Sequence, residues 1–225
     1  MILIVEREDL EVYSLLFIMG ACMGSFLNVI IKRAPKGMNI VTLQSHCPNC
    51  KEDLKWFHNI PIFSYIFLKA KCAYCNQKIS SQYFIVELLS AICTLLLYKK
   101  LGMGLEFIFV LTLFYTLIVL AFIDLEYKAV PDYILLIALI LVFIAQYNDL
   151  IEALKNAAIF AGVFALLEFI VTFYIQNIKY KITKDESLKD MKSLGEGDIP
   201  IVAIIGALLG IQAGFFAIFL AALFA

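Results

Sequence analysis

The 225-residue chain reads as an all-α polytopic membrane protein with about six to seven transmembrane helices and a small cytoplasmic four-cysteine zinc module. Three observations lead there. Apolar residues make up 63% of the chain, charged residues only 16%, and mean hydropathy is +0.91. An average soluble domain is about 45–50% apolar and about 25% charged. Several apolar runs approach the roughly 20 residues that a helix needs to cross a hydrocarbon core about 30 Å thick. Four of the six cysteines fall in two CxxC pairs inside the longest polar stretch. These features exclude a soluble enzyme, a disordered tail protein and a secreted disulfide scaffold. A net charge of −1 creates no global field, so no nucleic-acid partner is expected.

The first apolar run, Val12–Ile31, is interrupted only by Ser14, Ser25 and Asn28 and closes on Lys32, Arg33 and Pro35. It lacks the small-residue pattern of a cleavage site and reads as a retained anchor. Further runs are Tyr83–Tyr98, Leu105–Ile123, the short Tyr133–Tyr147 and Ala157–Ile178. The last, Ile199–Ala225, contains Gly206, Gly210 and Gly214, and divides into helices near 199–210 and 213–225. If the spans alternate, fourteen Lys and Arg lie on one side and four on the other. That bias places the N-terminus outside and the cysteine loop in the cytoplasm. The expected organisation is an anchor helix over 1–31, a cytoplasmic zinc-binding module over 32–82 and a transmembrane domain over 83–225.

Cys47-Pro48-Asn49-Cys50 and Cys72-Ala73-Tyr74-Cys75 are separated by 21 residues, a spacing close to that of a zinc ribbon. Four thiolates can hold Zn²⁺ tetrahedrally at about 2.3 Å. A loop of this size has too little core to fold alone, and a metal compensates. The alternative is a set of ordinary cytosolic thiols. His46 and His58 flank the module, but four cysteines already fill the coordination sphere. Cys22 and Cys93 fall in apolar spans and read as buried small hydrophobes.

Ionisable residues beside or inside spans are functional candidates. Asp124 ends the third span, Asp132 opens the fourth, and Asp198 follows Gly195-Glu196-Gly197 and opens the last. All three fall at the same cytoplasmic edge. Two carboxylates meeting there can share a proton and activate water. The glycines before Asp198 permit a sharp turn. Each aspartate also has a simpler reading: Asp132 and Asp198 as helix N-caps, Asp124 as an interfacial terminator. Glu87 and Glu168 lie inside spans, as buried hydrogen-bonding groups or substrate contacts, and Asn28 reads as interhelical glue.

Taken in order, Gly24-Ser25-Phe26-Leu27-Asn28-Val29, the two CxxC pairs, Asn59-Ile60-Pro61 with Ser64-Tyr65, Ile79-Ser80 and Val86-Glu87-Leu88 form a recognisable series. Phe122-Ile123-Asp124, Pro131-Asp132 and Gly195-Glu196-Gly197-Asp198 complete it. With these motifs the chain resembles the type IV prepilin peptidases, membrane aspartic proteases of bacteria. The resemblance implies that Asp124 and Asp198 are the catalytic pair. It implies prepilins or pseudopilins as substrates, cleaved after a glycine at the cytoplasmic face of the inner membrane. It also implies N-methylation of the new N-terminus from S-adenosylmethionine, associated with the N-terminal region. The family often has Lys two residues after the second aspartate; here Pro200 stands there. The family also usually extends beyond the point where this chain stops.

The expected mechanism has one aspartate ionised as base and the other protonated as donor to the scissile carbonyl. Zinc would be structural, and lipid would be a constant neighbour. Rival readings are a transporter built on Glu87 and Glu168, and a zinc-anchored assembly protein without catalysis. No internal repeat supports the transporter.

Overall fold

In an apolar solvent every backbone N–H and C=O must be met within the chain, so long Leu-, Ile- and Phe-rich runs fold as helices. The computed structural model describes residues 2–41, 45–47, 49–183, 186, 195 and 197–224. Among them lie helices α1 (Ile2–Arg33), α2 (Phe63–Phe67), α3 (Ser81–Leu101), α4 (Leu105–Tyr127), α5 (Asp132–Ala145), α6 (Leu150–Phe173), α7 (Tyr180–Thr183) and α8 (Asp198–Phe224). There is no strand among the described residues, only two isolated bridge pairs, His46 with Asp53 and Lys71 with Lys78.

Four stretches are long and apolar enough to cross a membrane: Leu10–Lys36, Leu105–Tyr127, Tyr147–Ile182 and Asp198–Leu223. This is an integral membrane protein. The expected six to seven spans exceed these four. The difference lies in α3, in the 14-residue α5, and in α8, where Gly210 takes φ 73° and breaks the helix.

The chain divides into two units, residues 1–131 and 132–225. In the first, α1 packs along α3, and both meet α4. The approach of α1 to α3 is set by two glycines one turn apart. A Cβ on Gly24 would lie 2.6 Å from the Glu87 Cα, and one on Gly20 would lie 2.8 Å from the Ala91 Cα. Small residues let backbones approach this closely. Asn28 fixes the register, donating from Nδ2 to the Tyr83 carbonyl at 3.0 Å. Cys22, expected to be buried, is exposed, because Gly20 and Gly24 turn the opposite face of α1 towards α3; Cys93 is half-buried.

In the second unit α6 packs on α8, and α5 contacts both. The fully buried Phe160 ring fills the space left by Gly214, where a Cβ would come within 2.8 Å of its Cζ. The same ring lies 4.7 Å from that of Phe215. Pro200 sits in the first turn of α8, where its missing N–H leaves no intrahelical bond unmade.

Candidate functional site

Three groupings are candidates for chemistry. The first is the cysteine cluster. The sulfurs of Cys47, Cys50, Cys72 and Cys75 all lie within 4.8 Å of one another. Both knuckles fold alike. Lys51 N–H donates to the Cys47 carbonyl at 2.9 Å and Asn76 N–H to the Cys72 carbonyl at 3.1 Å. The residue after each second cysteine, Lys51 or Asn76, takes a left-handed φ of 59° or 56°. Four thiolates around Zn²⁺ at about 2.3 Å stand about 3.8 Å apart; Cys47 Sγ and Cys75 Sγ are separated by 3.9 Å. The donor set and its spacing therefore fit a tetrahedral zinc ion. The Gln77 amide, aided by the Asn49 side chain, holds the Cys75 thiol down to about 6. The Glu52 amide favours the Cys50 thiolate, but desolvation and the other three sulfurs outweigh it and push that thiol up to about 11. A cluster in which one thiol is held down while a neighbour is pushed up is a setting that a divalent cation relieves.

The second grouping lies beside it. A cavity of about 530 Å³ opens among the end of α1, the cysteine loop and the start of α3, with Asn28, Lys32, His58, Tyr65, Tyr83 and Glu87 in its lining. Glu87 is buried, and its Oε2 accepts from the Ile62 amide at 2.7 Å. Lys32 Nζ reaches Glu126 Oε1 at 2.7 Å, and Gln82 Nε2 donates to the other carboxylate oxygen at 3.3 Å. Two polar atoms in the lining, Asn28 Oδ1 and His58 Nδ1, are buried without a hydrogen-bond partner. The sequence singled out Asn28 and Glu87. It gave no signal for Lys32, Gln82 and Glu126, which only the fold brings together.

The third grouping is the set of aspartates. Asp124 is exposed in the last turn of α4, where its carbonyl accepts from the amide of the left-handed cap Lys128 at 2.9 Å. Asp132 is exposed at the start of α5. Asp198 is half-buried at the start of α8. Its Oδ2 accepts from the Gly195 amide at 2.9 Å, while its own amide donates to the Gly195 carbonyl at 3.1 Å. A Cβ on Gly195 would touch that carboxylate at 3.4 Å. The turn thus holds the carboxylate by its own backbone. Glu196 lies outside the described residues. Asp124 belongs to the first unit, and Asp132 and Asp198 to the second.

Comparison with known proteins covers most of the chain. Residues 18–101 match the bacterial peptidase A24 N-terminal domain, and residues 111–225 match the type IV leader peptidase family. A protein of Myxococcus xanthus named prepilin leader peptidase/N-methyltransferase is 34% identical over 86% of this chain and 55% of its own length. The chain thus spans only about half of that relative. A Klebsiella pneumoniae protein of the same name is 32% identical over 89% of this chain and 86% of its own length. One from Vibrio cholerae is 32% identical over 89% and 79%. No solved structure matches. Over both halves of its sequence, then, the chain belongs to the type IV leader peptidase family.

Proposed function

We propose that this chain is a membrane-embedded aspartic endopeptidase. It removes the basic leader of type IV prepilins or pseudopilins at the cytoplasmic face of the bacterial inner membrane. The observation that carries this reading is Asp198, held by the Gly195 amide at the head of an apolar helix within the stretch that matches the leader peptidase family. Its partner is Asp124, at the C-terminal end of α4. Free N–H groups at a helix N-terminus favour a carboxylate, so Asp198 takes the role of base towards water. Asp124 donates to the scissile carbonyl oxygen, and the two act as one unit. Residues 83–225 then form the peptidase domain, residues 1–31 the anchor and residues 32–82 the zinc module. Zinc is structural: Cys47, Cys50, Cys72 and Cys75 hold it and thereby fix the loop.

The relatives' names also include N-methyltransferase. We assign the methyl donor, S-adenosylmethionine, to the cavity of the first unit, where aromatic Tyr65 and Tyr83, cationic Lys32 and acidic Glu87 suit its parts. When bound, it supplies an electrophilic methyl group. Asn28, through its buried Oδ1, and Glu87 offer acceptors to the new amine. The test is to incubate purified protein, a prepilin and labelled S-adenosylmethionine in detergent, and to weigh the product. A shortened prepilin carrying one added methyl group is expected. An intact prepilin refutes the peptidase, and a shortened but unmethylated one refutes the methyltransferase.

A further inference from the structure

The segment between the two cysteine knuckles does not stay clear of the apolar helices. Ile62 is buried in one cluster with Ala21 of α1 and Ala91 of α3, and Phe17, Phe84 and Leu88 pack around it. Ala21 lies near the middle of the apolar stretch Leu10–Lys36. The Ile62 amide is held by Glu87. Counted from Tyr83, where the second apolar run begins, Glu87 and Ala91 lie about 6 and about 12 Å along the helix at 1.5 Å per residue. Ile62 sits between those levels, in a leaflet whose apolar half-thickness is about 15 Å.

Irregular backbone survives at such depth only where its polar groups are met inside the protein. Here they are. Pro61 has no N–H, and Ile62 N–H meets Glu87. Phe63 N–H meets the Pro61 carbonyl at 2.6 Å, Ser64 N–H the Ile60 carbonyl at 3.0 Å and Ile66 N–H the Ile62 carbonyl at 3.2 Å. Tyr65 stacks on Phe84 of α3 with ring centres 5.3 Å apart, which turns the far side of α2 outward. Phe63, Ile66 and Phe67, at i, i+3 and i+4, share that side and are 54%, 58% and 80% exposed.

We propose that residues 60–67 form a re-entrant segment that enters the bilayer from the side of the cysteine module and presents Phe63, Ile66 and Phe67 to lipid acyl chains. Burial of Ile62 beside Ala21, near the middle of a stretch long and apolar enough to cross a membrane, and beside Ala91 of α3 puts the adjoining face at membrane depth. Lipid is the occupant that this depth supplies. The segment pins the cysteine module to the membrane surface and lends Ser64 and Tyr65 to the wall of the neighbouring cavity.

Trp56 is the chain's one tryptophan, so W56F provides a silent background in which F67W, at the most exposed position, reports on this face. The full chain is reconstituted in phosphatidylcholine bilayers with and without bromine on the acyl chains. Blue-shifted F67W emission, largely lost with brominated lipid and little affected by iodide, is expected. Emission at the position of tryptophan in water, quenched by iodide and indifferent to bromine, overturns the proposal. A blue shift that appears only after a prepilin is added makes the face a substrate dock and overturns it equally. The unmodified chain gives a check free of any substitution. A photoactivatable phospholipid, reactive at mid-chain, should label the peptide containing residues 63–67. Labelling of the exposed face of α1 without that peptide refutes the proposal.

Discussion

Glu87 is a carboxyl group inside an apolar helix, a placement that is costly unless the group is used. It accepts the amide of Ile62, a β-branched residue held at a left-handed φ of 65°. Without an acceptor that buried N–H loses about 1–3 kcal/mol. E87A should therefore destabilise the protein by about that amount in thermal unfolding in detergent, while E87Q, which keeps an acceptor oxygen, loses less. Equal loss in both variants would mean that the hydrogen bond is not what matters. The cysteines give a second test. Elemental analysis should find about one Zn²⁺ per chain, lost in C47S or C72S and kept in C93S; metal-free protein from a reduced preparation would contradict the four-sulfur site. At this scale the sequence was informative where spacing carries chemistry, as in the two CxxC pairs. It was silent where a loop returns to a helix, because nothing in residues 60–67 announces which residue of α3 will meet Ile62.

Helix packing in the first unit depends on two missing side chains. With no Cβ at Gly20 or Gly24, α1 lies directly against the backbone of α3. G24V should force the helices apart at Glu87 and cost about 1–3 kcal/mol, by overpacking. It should also enlarge the cavity, seen as a weaker grip on S-adenosylmethionine in a binding assay. Unchanged stability and binding would show that α1 and α3 do not pack as described. The apolar runs located the centres of these helices correctly but not their ends. Hydropathy marks where the membrane is, whereas helix propensity carries α1 back to Ile2 and α4 on to Tyr127, through residues too polar for lipid. A break near residues 210–213 was legible from three glycines in the last run; that it falls at Gly210, with φ 73°, was not, because all three glycines can adopt such a φ. The exposure of Cys22 was not legible, since an apolar helix gives no periodic signal for which face meets protein and which meets lipid.

Across the whole molecule the two aspartates proposed for catalysis fall in different units, Asp124 near the end of one and Asp198 in the other. Composition alone identified a helical membrane protein, and the ordered motifs identified its family. The resemblance pairs Asp124 with Asp198 by motif, but composition and spacing alone give no reason to pair residues 74 positions apart on separate helices. Because cleavage is assigned to the aspartates and not to the metal, removing zinc should loosen the cysteine module before it affects cleavage. The most direct measurement is single-turnover cleavage of a purified prepilin by the intact protein and by D124N, D198N and D132N, each at equal expression and with substrate binding checked. The account predicts that D124N and D198N bind but leave the leader in place, while D132N still cleaves. Normal cleavage by either D124N or D198N would contradict it.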